Sequence, residues 1–94
     1  MADRFYADAT IEPAEYVQLT DLGTATGIGA GGGRVAMIQC LNQNVRWRDD
    51  GTDPTTTVGI RLHAGATFFY TGNLRSIRFI EETAGAELNI NLYN

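Results

Sequence analysis

Lysine is absent from this chain, and cysteine, histidine, serine and tryptophan occur once each, as Cys40, His63, Ser76 and Trp47. Each shortage excludes something. A single cysteine permits neither an intramolecular disulfide nor a cysteine-based zinc site, and Cys40, set in an apolar run, reads as a small buried hydrophobe. Single copies of serine, histidine and cysteine do not assemble a nucleophile with its base, and Ser76, between Arg75 and Ile77, has no G-x-S-x-G elbow. Glu81 and Glu82 are adjacent, which sends them to opposite faces of a strand and denies them a shared acid-base role. The chain therefore reads as non-enzymatic, with no catalytic residue, cofactor or metal expected.

Basic excess is also missing. Seven arginines against eleven carboxylates give a net charge of -4, so direct contact with a nucleic-acid backbone is not expected. The exclusive use of arginine has two readings, planar pairing with carboxylates at interfaces or a codon bias toward arginine. No stretch approaches the roughly 18 apolar residues that span a bilayer, and Met1-Ala2-Asp3-Arg4 lacks a basic run followed by an apolar segment. The expectation is a protein made and kept in the cytosol, or released only when a cell lyses, with no membrane partner.

What the chain does have is strand pattern. Its 94 residues suffice for one domain with a modest core, which oligomerisation would support. From Glu87 to Tyr93, Leu88, Ile90 and Leu92 alternate with Asn89, Asn91 and Tyr93, the period of a sheet with one face buried. Ala66 to Thr71 and Ser76 to Glu81 read as the two strands before it. Upstream, Ala14 to Leu22 forms a first strand. Arg34 to Leu41 fits a buried strand or a short helix, and its length favours the strand. Val45 to Asp49 is expected to pair with it as a hairpin, with Val45 and Trp47 on one face and Arg46 and Arg48 on the other. Val58, Ile60 and Leu62 alternate in a further strand. About seven short antiparallel strands separated by turn residues predict an all-β domain, a small β-sandwich or jelly-roll-like fold.

Two stretches stand outside that pattern. Met1 to Pro13 reads as an N-terminal arm carrying Phe5 and Tyr6, docked on its own domain, reaching a neighbouring subunit, or disordered. Gly23 to Gly33 reads as a glycine-rich loop with nothing to offer a core, mobile or held by a partner. Gly27, Gly29 and Gly32 match a G-x-G-x-x-G spacing with Asp53 further on, but β-type sequence follows where a dinucleotide site needs a helix, so that reading is set aside.

Asp49, Asp50 and Asp53 crowd one turn, and calcium is weighed because oxygen-rich loops bind it. The spacing fits no EF-hand, so the aspartates are assigned to the turn and to pairing with Arg46 or Arg48. Trp47, Phe68 and Phe79 are assigned to the core. Phe69 and Tyr70 lie on opposite faces, so an aromatic in this run covers a second surface, either as a contact for a partner chain or sugar ring or beneath the arm.

The run from Asn44 to Thr55, with Gly59, Leu62, Ala64-Gly65, Phe69-Tyr70-Thr71-Gly72, Leu74, Ile77-Arg78-Phe79-Ile80, Gly85-Ala86 and Leu88-Asn89, resembles small virion structural proteins of tailed bacteriophages. The resemblance covers residues 34–93. It implies a virion location and a head decoration or cement protein that binds the assembled capsid, with the major capsid protein as partner and a homo-oligomer as working form. Tail and fibre components share similar folds, so the alternative is a tail- or fibre-associated carbohydrate- or receptor-binding module. The candidate interface residues are Phe5, Tyr6, Arg46, Arg48, Phe69 and Tyr70.

Overall fold

Alternation of apolar and polar residues makes strands with one buried face, and such strands need a second sheet to cover that face. The computed structural model describes residues 13–28 and 34–93, and its eight strands supply two such sheets. They are β1 (Pro13–Leu19), β2 (Thr26–Gly27), β3 (Val35–Leu41), β4 (Val45–Arg48), β5 (Ile60–Leu62), β6 (Thr67–Tyr70), β7 (Arg78–Glu81) and β8 (Glu87–Tyr93). The first sheet has the order β1-β8-β3-β6 and the second β2-β7-β4-β5, with every pairing antiparallel. Successive strands switch sheets except at β4 and β5, so the chain behaves as one long ribbon, β1 to β4 against β8 to β5, wound around a common core. That interleaving is the jelly-roll form of the sandwich.

Strand β8 sits between β1 and β3, and Leu88, Ile90 and Leu92 are fully buried. Ile38 and Cys40 of β3, Val45 of β4 and Phe79 of β7 close on them without measurable exposure. Each such aliphatic or aromatic side chain contributes about 1.5–3 kcal/mol by leaving water. Cys40 is a buried hydrophobe, its thiol donating to the carbonyl of Gln43 at 3.1 Å, and burial pushes its pKa up to about 11.

Three expectations need correction. First, residues 34–41 and 45–49 do not form a hairpin: β3 pairs with β6 and β8, and β4 with β5 and β7. The short link between them is an arch, turned by Asn42 at φ 74°, a left-handed conformation that asparagine tolerates better than most residues. Second, the glycine-rich stretch does serve the core. Thr26 and Gly27 pair with Phe79 and Arg78, and Ile28 is buried; just before the stretch, Leu22, expected at the end of the first strand, lies beyond β1, buried, with its carbonyl accepting from Glu81 N at 2.9 Å. A Cβ at 27 would meet the Arg78 guanidinium, the end of a flexible side chain, so a larger residue there would have to displace Arg78. Third, the strand foreseen from Val58 contracts to Ile60–Leu62. Val58 and Ile60 are exposed, and only Leu62 enters the core. Pro13, counted with the arm, opens β1; residues 1–12, with Phe5 and Tyr6, and residues 29–33 lie outside the described residues.

An aromatic group joins the two sheets at one end. Trp47 of β4 stacks on Phe68 of β6 with ring centroids 5.7 Å apart and meets Tyr70 edge-on at 5.8 Å. Phe79 is fully buried, while Trp47 and Phe68 are half-buried and pack against the core. The Tyr70 hydroxyl donates to Asp49 Oδ2 at 2.6 Å, and Ser76 Oγ donates to the Asp49 carbonyl at 3.1 Å. Burial, then the Asp49 carboxylate, push the Tyr70 pKa up to about 12.

Candidate functional site

A sandwich turns one face of each sheet outward, and register decides which side chains share it. On the first sheet, Tyr16, Asn91, Met37 and Phe69 form one cross-strand row, and Gln18, Asn89, Gln39 and Thr67 the next. None of these eight is charged at neutral pH. Asn89 is central to a chain of amides: its Oδ1 accepts from Tyr16 Oη at 2.8 Å and from Gln18 Nε2 at 3.0 Å, and its Nδ2 donates to Gln39 Oε1 at 3.1 Å. The face is shallowly concave, with a groove of about 640 Å³ lined by Tyr16, Met37, Gln39, Thr67, Asn89 and Asn91.

The outer face of the second sheet is built from different chemistry. Its rows are Ile80, Arg46, Arg61 and Gly27, Arg78, Arg48. Like charges directly opposite each other destabilise a sheet, and here carboxylates offset the repulsion. Glu82 Oε2 lies 2.8 Å from Nε of both Arg46 and Arg61. Arg61 donates a hydrogen bond to it. The Arg46 Nε–H is not aligned on that oxygen, so the second contact is Coulombic, and Arg46 Nη1 donates instead to the Gly59 carbonyl at 3.0 Å. The Arg61 hydrogen bond, then the charges of both guanidiniums, hold Glu82 below the usual carboxylate range. Arg48 makes a two-pronged pair with Asp50, which lowers the Asp50 pKa and raises that of Arg48.

A third surface lies along β5, the edge strand of the second sheet. Val58 and Ile60, 49% and 57% exposed, stand beside Trp47, Gly59 and the Arg48–Asp50 pair around a depression of about 260 Å³. Gly59 adopts φ 139°, and a Cβ there would crowd the Trp47 carbonyl, Arg46 Cβ and Pro54 Cβ. Glycine is therefore favoured at 59, while Ile60, opposite Trp47 in the register, is exposed because β5 is the edge of its sheet.

Of the residues singled out from sequence, Arg46 and Arg48 do share the outer face of the second sheet, and Phe69 faces outward, 44% exposed. Tyr70 does not. It is 6% exposed and turned into the core, because alternation puts it on the side of Phe68 and Asp49 offers its hydroxyl an acceptor. The aspartates of the turn act separately, Asp49 on Tyr70 and Asp50 on Arg48. Among the described residues no three His, Cys, Asp or Glu side chains come together as a metal site, and no helix is long and apolar enough to cross a membrane.

Sequence reasoning missed Tyr16, Gln39, Asn89 and Asn91 as a group, and Val58 with Ile60 as a surface. The signal for the first was present in the polar half of each alternating strand, but which strands lie side by side is a property of the fold. Comparisons with protein-family models, with curated proteins and with solved structures give no match.

Proposed function

We propose that this protein is a non-enzymatic virion structural protein of a tailed bacteriophage, a head decoration or cement protein that binds the assembled capsid lattice. It works by surface, as an oligomer, with the major capsid protein as its neighbour. The observation that carries the reading is the Val58–Ile60–Trp47 patch on the β5 edge, rimmed by Arg48 and Asp50. Aromatic and aliphatic side chains at the centre with arginine at the rim is the composition of a protein–protein contact. The resemblance of residues 34–93 to phage virion proteins supplies the kind of partner. A jelly roll is in keeping with it, since viral capsid domains often use that architecture, although a fold alone does not imply a function.

Cosedimentation tests this directly. Head particles lacking the protein are mixed with it and pelleted, and the wild-type chain is expected in the pellet at a fixed ratio to capsid subunits. The double substitution Val58→Asp and Ile60→Asp is expected to leave the chain folded and in the supernatant. Failure of the wild type to pellet with any such head defeats the decoration reading, and equal pelleting of the variant removes the β5 edge from it.

A further inference from the structure

We infer that the outer face of the β1-β8-β3-β6 sheet is a binding site for a neutral oligosaccharide, with Tyr16, Gln39, Asn89 and Asn91 as its contact residues. The inference goes beyond capsid attachment, which uses the other sheet's edge, and holds whether or not that attachment occurs.

Charge is the first argument. The chain carries eighteen charged side chains, four arginines face outward on the second sheet, and the two central rows of the first sheet have none. Glu87 stands in the row beyond them, on the same side of β8 as Asn89 and Asn91, so the uncharged centre suits a ligand with no charge better than a nucleic acid, an anionic lipid or a salt-bridged protein contact. The second argument is hydrogen-bonding capacity. A sugar presents vicinal hydroxyls that donate and accept at neighbouring positions, and a carboxamide offers both functions in one plane. Asn89 is fixed by three bonds to its neighbours, which in turn orients the Gln39 amide through its oxygen. Gln39 thereby keeps its Nε2–H donors for a ligand. The Asn91 side chain, half-buried in the groove, makes no hydrogen bond among the described residues and has its donors and acceptor available.

The third argument is shape. Four strands at about 4.8 Å spacing make a face roughly 15 Å wide, and the groove of about 640 Å³ is shallow and open, so a ligand lies along it and is not enclosed. Tyr16 stands at one margin, 59% exposed, its hydroxyl anchored on Asn89 so that the ring is held with an apolar surface for the C–H side of a pyranose. Met37 lies next to Asn91 in the same row and gives the floor an apolar strip. A stack, a strip and a ladder of amides is what a short neutral glycan needs: apolar contact on one side and fixed polar groups on the other. Affinity on such an open face is expected to be weak, about millimolar to high micromolar, and to be raised by several copies acting together.

The test uses the full chain and defined probes. The protein is first screened on an array of neutral, sialylated and phosphorylated glycans, and then titrated with the neutral hits by NMR chemical-shift mapping. The expected result is binding confined to neutral glycans, with shifts on β1, β3 and β8. Tyr16→Ala and Asn91→Ala are each expected to weaken it about five- to tenfold. Unchanged melting temperatures establish that these surface variants are folded, and Gln39→Ala provides a second polar probe. The inference is overturned by any of three results: no chemical-shift change with any neutral glycan of the array at millimolar concentration, binding that survives both substitutions, or a preference for the charged glycans. It is overturned equally if the isolated chain sediments as a dimer that Asn91→Arg dissolves, because the face is then covered by a second copy. None of these results bears on cosedimentation with capsids, so the two proposals fail separately.

Discussion

The two outer faces of this sandwich share one core and differ in almost everything else. One carries amides, a thioether and aromatics with no charge in its central rows; the other sets arginines opposite arginines and relies on Glu82 and Asp50 to make that tolerable. A face of amides is indifferent to pH and salt and can be changed without cost to the fold. On a face of opposed like charges the guanidiniums are engaged by Glu82 and Asp50, and it is less free to act as a binding surface. Function is therefore more readily sought on the first sheet and along the β5 edge than among the arginines, although arginine was the residue that composition brought forward.

The comparison can be broken most severely where the faces are joined. Tyr70→Ala removes a ring that meets Trp47 and a hydroxyl bound to Asp49, and is expected to cost about 3–5 kcal/mol in urea denaturation. Tyr70→Phe, which loses only the hydroxyl, is expected to cost about 1–2 kcal/mol. Equal losses from both would show that the hydrogen bond, and not the packing, joins the sheets. Next in size is Gly59→Ala, where the strained φ and crowding against Trp47 and Arg46 are expected to cost about 1–3 kcal/mol, with broadened NMR signals on β4 and β5 and none on β8.

Alkaline pH acts on the shared interior. The Cys40 thiol rises from an ordinary 9.0 to about 11 and the Tyr70 phenol from 10.0 to about 12. Between those limits the unfolded chain has lost protons that the folded one keeps, so stability is complete below pH 9 and declines from there to pH 12, by roughly 2–3 kcal/mol for each group. Acid separates the faces. Glu82 and Asp50, ordinarily at 4.5 and 3.8, are both lowered, so the folded state holds fewer protons than the unfolded state and stability falls as pH drops from about 4.5 through their lowered values. Glu82→Gln is expected to flatten that acid limb and to lower the melting temperature slightly, more at low salt than at high salt. The smallest effect belongs to the first sheet: Asn91→Ala and Tyr16→Ala are expected to alter stability by no more than about 0.5 kcal/mol at any of these pH values. A larger loss would mean that the amide face is structural after all.

Much of this fold was legible in the residues. The alternation of Leu88, Ile90 and Leu92 with Asn89 and Asn91 gave β8 its bounds and its buried side, and the alternation in Val45–Arg48 separated Trp47 from Arg46 and Arg48. Partners were less legible, because alternation says which side of a strand is buried and nothing about what hydrogen-bonds its edges. A link of three residues, 42–44, suits a hairpin as well as an arch, and only Asn42's backbone conformation distinguishes them. The strand at Thr26–Gly27 is too short to have a period, and Ile28 is a single apolar residue among glycines. Val58 and Ile60 misled for the opposite reason: their spacing is right for a buried face, but the sheet ends beside them. The candidate groove suffered most, since Tyr16 and Asn91 meet only when a strand near one end of the chain pairs with a strand near the other.

The place of β8 in the middle of its sheet sets the order in which this molecule can come into being. Among the described strands it is the last in chain order, and until it forms β1 has no partner among them and β3 has only β6. Beyond the β3–β6 pair, the first sheet is thus completed only when β8 is in place. Pairings between remote segments close slowly, which leaves one edge of the apolar run Val35–Leu41 unpaired in the nascent chain until β8 is available. Chaperone capacity and the pace of translation, as well as the stability of the finished sandwich, then bear on the yield of folded protein.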